Sequence, residues 1–307
     1  MPSIYQLGIS LLAIIAMLPL YQGIATMIDD YRYPPPGELV DIGGYKLHIH
    51  STGKSGPTVV LDAGLSGTSL GWSLVQLEAS KFTRVCSYDR AGYAWSDESP
   101  SKRTSHHLAE ELHTLLHKAN IPGPYILVGH SFGGCNALIF ADLYPKETVG
   151  VILVDSVHED MLLQASSRPA FQWLLSAMGF KRLKGPSNAI VQMFTPLPEK
   201  IRSMYVAQMN KTNYTKTVSR EMEALSESLR QIQDRKIHLK DKPLVVITAG
   251  KFADSNEGLA WNNLQKKLLS KSNRSKQMIA DKSDHMINHH QPEIIIAAIR
   301  EILNNKF

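Results

Sequence analysis

The residues best suited to chemistry are clustered in Gly129-His130-Ser131-Phe132-Gly133. A hydroxyl becomes a useful nucleophile when a general base removes its proton and fixed donors receive the charge that develops on the substrate. Ser131 has glycine two positions away on either side. A strand-to-helix turn needs small residues there if it is to double back sharply and push Oγ out above a sheet. The same turn aims the backbone N–H of Phe132 at the place where an oxyanion would form. Glycine and serine are common in ordinary turns, so the flanks must select the catalytic reading. They do: the apolar run Tyr125–Val128 enters the turn and a helix over Cys135–Leu143 leaves it.

Such a serine needs a framework, and the chain supplies strands and helices in alternation. Val40-Asp41-Ile42 and Tyr45–His50, joined at Gly43-Gly44, read as a hairpin, followed by short apolar strands at Thr58–Leu61 and Arg84–Tyr88. The spacing of Leu108, Leu112, Leu115 and Leu116 predicts a helix over Thr104–Ala119, with Thr104 or Ser105 as its cap. Strands at Val149–Val154, Pro243–Thr248 and Gln277–Ala280, with helices over Leu259–Leu269 and Glu293–Leu303, finish the series. Continuous apolar strands alternating with helices predict an α/β fold, a mostly parallel central sheet flanked by helices on both faces.

From about Gly37 to the C-terminus the chain resembles the α/β-hydrolase superfamily and is similar to its small, lid-bearing bacterial members. Besides the serine turn, Asp62-Ala63-Gly64-Leu65 resembles the family's oxyanion loop. Asp89-Arg90-Ala91-Gly92-Tyr93-Ala94-Trp95-Ser96 resembles its Asp-Arg-x-Gly-x-Gly-x-Ser segment, with Ala94 in place of the second glycine. The resemblance implies an oxyanion hole made by the N–H groups of Leu65 and Phe132, and a structural role for Asp89 and Arg90 beneath it. It implies the general base at His285, in Ser283-Asp284-His285-Met286-Ile287 after the last strand, although Asp284 stands where the family usually has glycine. His289 and His290 fall on the approach to the final helix and are set aside. The acid that orients the base has two possible places. Asp155 follows directly on the strand after the nucleophile helix; Asp254 lies in the polar run from Gly250 to Gly258. The rigid strand end favours Asp155, and Asp254 stays open as the alternative. Residues 157–242 correspond to the family's helical lid, inserted before the last two strands. They carry helical patterns at Phe171–Met178, Ile201–Gln208 and Val218–Ile232, and Trp173, Phe194, Met178, Met193 and Met204 could roof an apolar pocket.

The activity implied is acyl-enzyme chemistry on a small-molecule carboxylic ester with an apolar acyl or alcohol part. A serine nucleophile argues against the dehalogenase and epoxide-hydrolase branches of the fold, which attack with a carboxylate. The alternatives are an acyltransferase on the same triad and a membrane-tethered binding protein without turnover. No cofactor is called for and no catalytic metal motif is present. His113 and His117 are one helical turn apart and could pair on a metal, but no third ligand accompanies them, so they read as a solvated helix face. Cys86 and Cys135 lie in apolar runs and read as small buried hydrophobes. A net charge of +5, with lysines and arginines scattered, gives no basic stripe for nucleic acid.

The N-terminus differs from the rest. Residues 1–28 carry no charged side chain and are dense in Ile, Leu and Ala. As a helix they are long enough to cross a hydrocarbon core of about 30 Å, and they are read as a single-pass membrane anchor. A cleaved signal peptide, which would leave a secreted protein, and a buried amphipathic arm are the rivals. Residues 29–38, with Tyr33-Pro34-Pro35-Pro36-Gly37, read as a short stiff linker, and 39–307 as the hydrolase domain.

Overall fold

The predicted hairpin forms as β1 (Glu38–Asp41) and β2 (Lys46–Thr52), and Asp41 Oδ1 accepts from the N–H groups of Gly43 and Gly44 to close its turn. The structure, a computed structural model, describes residues 4–161, 175–251 and 255–306. Among them the remaining strands are β3 (Thr58–Asp62), β4 (Val85–Tyr88), β5 (Tyr125–His130), β6 (Thr148–Val154), β7 (Leu244–Ala249) and β8 (Ser275–Ala280). They form one eight-stranded sheet in the order β1-β2-β4-β3-β5-β6-β7-β8. Only β2 runs against its neighbours; from β4 to β8 every pairing is parallel.

Every residue of β3 and of β5 is buried, as the unbroken apolar runs require of strands covered on both faces. One face packs on α3 (Ser105–Lys118) and α4 (Phe132–Leu143), through Leu108, Leu112, Leu115, Leu138 and Phe140. The other packs on α2 (Ser73–Ala79), a helix without a strong sequence signal, and on the C-terminal helix over Pro292–Leu303. Burying each large aliphatic side chain contributes about 1.5–3 kcal/mol, so these two layers hold the strand ends where the chemistry sits.

Between β6 and β7 the described chain is helical: α5 (Phe180–Lys184), α6 (Asn188–Phe194), α7 (Glu199–Met209) and α8 (Thr212–Arg235). In α8 the buried residues Tyr214, Val218, Glu221, Leu229 and Ile232 recur three, four or eight positions apart, which puts them on one stripe facing the sheet domain. The helix ends at Lys236, whose left-handed backbone turns the chain back toward β7. After β7 come α9 (Asn256–Leu268), β8, the short α10 (Ile287–His290) and α11 (Pro292–Leu303).

The N-terminal helix departs from its expected bounds. Among the described residues no helix is long and apolar enough to cross a membrane. The first helix, α1 (Ile4–Arg32), contains Pro19 and runs beyond the expected boundary, taking in Asp29, Asp30 and Arg32. Its later turns make polar contacts with the protein. Gln22 is buried and donates to the Asn210 carbonyl, Asp29 pairs with Arg182, and Asp30 pairs with Lys211. These groups would be costly in hydrocarbon, and here they are satisfied by the helices that follow β6. The extended segment after α1 is fixed as well, because Trp95 Nε1–H donates to the Tyr33 carbonyl.

Candidate active site

β5 delivers Ser131 into a backbone conformation that side chains rarely adopt, with φ +52° and ψ −119°. A Cβ on Gly129 would lie 2.3 Å from the Gly133 carbonyl oxygen, and one on Gly133 would lie 2.4 Å from that of Asp62. Both contacts are with backbone and cannot relax, so only glycine fits at either place. The strain, of order 1–3 kcal/mol, is held by hydrogen bonds: Ser131 N–H donates to Val154, and the Ser131 carbonyl accepts from the N–H groups of Gly134 and Val157. The helix α4 begins at Phe132, three residues before the expected Cys135, so the Phe132 N–H lies in the first turn, where helical N–H groups lack an intrahelical acceptor.

His285, on the loop between β8 and α10, meets Asp155 at the end of β6. His285 Nδ1 is 2.7 Å from Asp155 Oδ2. Asp155 follows β6 with a positive φ of 43°, a conformation aspartate tolerates better than most residues. Its other oxygen, Oδ1, accepts from the Ala249 N–H at 3.0 Å and from Trp261 Nε1–H at 2.9 Å. Burial pushes the Asp155 carboxyl up, but the hydrogen bond and charge of His285, with these two donors, outweigh it and leave its pKa below the ordinary aspartate value. A carboxylate at Nδ1 keeps the proton there and leaves Nε2 as the basic nitrogen. Among the described residues no hydrogen bond joins Ser131 Oγ to His285. The two line one cavity, and such bonds commonly tighten only when substrate is present.

His130, the variable residue of the serine turn, is buried beside His285, with ring centroids 4.7 Å apart. Its Nε2 is 2.8 Å from the His285 carbonyl oxygen, so the N–H there fixes the backbone of the base. Burial, and then repulsion from His285, push the His130 pKa down to about 3, which keeps the ring neutral.

The loop after β3 is held from below by Arg90. Its Nη1 donates to the Ala63 carbonyl at 2.6 Å and to Asp62 Oδ1 at 2.8 Å, and its Nη2 donates to the Gly64 carbonyl at 2.9 Å. In a trans peptide the C=O and the following N–H point in opposite directions. Arg90 therefore turns the Gly64–Leu65 peptide so that the Leu65 N–H points away from it. The other edge of the guanidinium is clasped by Glu221 of α8, through Nε at 2.7 Å and Nη2 at 2.8 Å. Tyr214, also of α8, donates to the Ser66 carbonyl at 2.8 Å. The loop is thus suspended between the sheet domain and α8.

Ser131, His285, His130 and the Gly64–Thr68 loop open onto a cavity of about 440 Å³. Its outer wall comes from Ile190, Met193, Phe194, Met209, Tyr214 and Val218. Met193 and Phe194 are therefore where a roof was expected. Met204 instead packs with Leu70 and Phe194 in a separate cluster, Met178 does not reach the cavity, and Trp173 lies outside the described residues. A second cavity of about 480 Å³, between Tyr33–Pro36 and α2, holds none of Ser131, Asp155 or His285.

Of the sequence-predicted acids, Asp155 meets His285, and Asp254 lies outside the described residues. His289 lines the cavity but turns Nδ1 to the Met193 carbonyl, and His290 pairs with Asp284. Asp89 makes a second buried aspartate–histidine pair, with His48 at 2.7 Å, and accepts from the Ser69 N–H. That pair does not line the Ser131 cavity and holds β2 to the chain after β3. Sequence reasoning missed His130, Trp261, Tyr214 and Glu221. His130 was in plain view inside the motif; the other three carry no local signal.

Comparison with known proteins identifies the fold family. The profile of the alpha/beta hydrolase fold matches residues 57–302. The uncharacterized protein YqjL of Bacillus subtilis is 29% identical over 267 residues, covering 85% of this chain and 89% of its own. Several other curated relatives are matched over less than half of their length. Among solved structures, Cfl2 from Burkholderia cenocepacia superposes with a TM-score of 0.66 at 19% identity, over 87% of this chain and 95% of that one. The epoxide hydrolase CorEH does so with a TM-score of 0.68 at 14% identity, over 88% and 99%. With more than half of its length matched to the family, the chain belongs to the α/β-hydrolase fold family.

Proposed function

We propose that the protein is a serine hydrolase that cleaves a small carboxylic ester through an acyl-enzyme. The observation that carries this reading is the convergence of a strained serine, a histidine bound through Nδ1 to a buried aspartate, and a largely apolar wall on one cavity. Ser131 Oγ attacks the ester carbonyl while His285 Nε2 takes its proton. The tetrahedral oxyanion is received by the N–H groups of Leu65 and Phe132, and His285 returns the proton to the departing alkoxide. Water then enters by the same route and releases the acid. Asp155 stays ionised throughout, holding the tautomer and stabilising the imidazolium. Residues 157–242 act as the lid: Met193, Phe194, Tyr214 and Val218 offer an acyl or alcohol group an apolar surface, and Tyr214 reaches the oxyanion loop directly.

An activity-based fluorophosphonate tests this reading. Covalent labelling at Ser131 that is lost in Ser131→Ala, with turnover of p-nitrophenyl esters, supports it. A protein that is folded yet neither labelled nor active on an ester panel overturns it. An acyltransferase would label equally but pass the acyl group to an added alcohol or amine in preference to water.

A further inference from the structure

We propose that His113, His117 and Glu147 form a binding site for a borderline divalent transition-metal ion such as zinc, remote from the catalytic cavity. His113 and His117 are successive turns of α3, and the third ligand their spacing lacks is supplied by Glu147, on the turn between α4 and β6. Glu147 Oε1 is 3.0 Å from His113 Nε2, and Glu147 Oε2 is 3.2 Å from His117 Nε2. One ligand atom from each of the three residues lies within 4.8 Å of the other two. A tetrahedral zinc with bonds of about 2.0–2.2 Å holds its ligand atoms about 3.4 Å apart, so the ion fits with side-chain shifts of an ångström or so.

The chemistry of the donors selects the ion. Two imidazole nitrogens and one carboxylate, with a face left to water, match zinc and its neighbours; calcium and magnesium prefer all-oxygen sets. In the metal-free arrangement each Nε2–H donates to the carboxylate. On binding, Nε2 becomes the ligand and the ring proton moves to Nδ1, so neither imidazole changes charge and the carboxylate supplies the negative charge. The site is also built. His113 stacks on Tyr144 with ring centroids 3.7 Å apart and planes 5° from parallel, and the Glu147 N–H is tied to the Tyr144 carbonyl. Its ligands remain open enough for an ion to enter, the His117 side chain being 58% exposed.

The location separates this site from catalysis. The Glu147 carbonyl accepts from the Tyr125 N–H at the entry to β5, whereas Ser131 follows the exit of that strand. Six strand residues at about 3.3 Å each put about 20 Å between them. A bound ion would clip the end of α3 to the turn that enters β6.

The test is isothermal titration of the chelator-treated full chain with zinc chloride at pH 7.5, beside thermal melting. The expected result is one site with a micromolar Kd and a Tm rise of roughly 5 °C at a hundredfold excess over Kd. His117→Ala and Glu147→Gln should each weaken binding at least tenfold and remove the Tm rise, with metal-free melting little changed. Fluorophosphonate labelling of Ser131 should proceed at the same rate in both variants. Unchanged zinc affinity in both variants would place the binding elsewhere, and no binding at 100-fold above micromolar zinc would remove it. Either outcome overturns the proposal.

Discussion

Asp155 divides its carboxylate between two tasks: Oδ2 meets His285 Nδ1 at 2.7 Å, while Oδ1 is pinned by the Ala249 N–H and by Trp261 Nε1–H. The second task makes the first geometrically strict, because both donors must be kept for the carboxylate to face the ring. An amide in its place would offer an N–H where the histidine needs an acceptor, or turn its oxygen away from the tryptophan.

Asp155→Asn is accordingly expected to lower kcat by about 10⁴ while the protein stays folded, the loss seen when a triad acid presents the wrong hydrogen-bonding partner. Asp254→Asn should leave kcat close to wild type. Steady-state ester hydrolysis with circular dichroism decides between them, and the reverse order would assign the acid to Asp254.

The strain at Ser131 makes a two-sided prediction. Ser131→Ala should abolish acyl transfer and keep the strain. Ser131→Gly should be equally inactive but more stable by about 1 kcal/mol, because glycine adopts a φ of +52° without steric cost. Urea denaturation of the three proteins measures this. A glycine variant no more stable than the alanine variant would show that the turn is relaxed.

In the proposed mechanism Arg90 acts through the Gly64–Leu65 peptide that it holds, so it should act on kcat more than on KM. Arg90→Lys keeps the charge and loses the forked contacts to Ala63, Gly64 and Glu221. A drop in kcat of about 10–100-fold with KM nearly unchanged is expected, less than the roughly 100–1000-fold cost of losing an oxyanion donor outright. Glu221→Ala should cost about 3 kcal/mol of stability, because it leaves a buried guanidinium short of its partner. A rise in KM alone for Arg90→Lys would move its role to substrate binding.

Two buried neutral histidines set an acid limit on stability. Burial depresses His130 to about 3 and His289 to about 4, well below the value of about 6.5 for an unfolded histidine. Between these values the unfolded chain binds more protons than the folded one, so stability rises with pH; the contribution is complete above about 6.5 and is lost as pH falls toward 4. Each group should take roughly 2 kcal/mol from the folding free energy at pH 5 relative to pH 7.5. Chemical denaturation at both pH values tests the sum, and in His289→Gln the difference should shrink by about half.

Much of this protein is legible in its sequence because much of it is decided locally. Gly129 is demanded by a contact inside the turn itself, with the Gly133 carbonyl, although Gly133 answers to the Asp62 carbonyl of β3; the apolar runs at Tyr125–Val128 and Val149–Val154 mark strands that must be covered on both faces. The hairpin at Gly43-Gly44 is local in the same sense. The helix starts at Phe132, three residues before the sequence pattern predicts; two glycines in its first turn mask its propensity. Tertiary structure alone decided the rest. Asp155 meets a histidine 130 residues away, and nothing in its own neighbourhood announces Trp261 as the donor that fixes it. Glu221 looks like any charged residue on a helix until the fold buries it against Arg90. His113 and His117 look like a solvated face until the turn before β6 brings Glu147 between them. Nothing in the apolar N-terminal run announces that polar residues farther along its helix dock onto the protein. Sterics and hydrophobic period act over a few residues and are written in order along the chain. Hydrogen bonds and ion pairs between distant segments depend on the closure of the whole sheet, and no short window of sequence contains them.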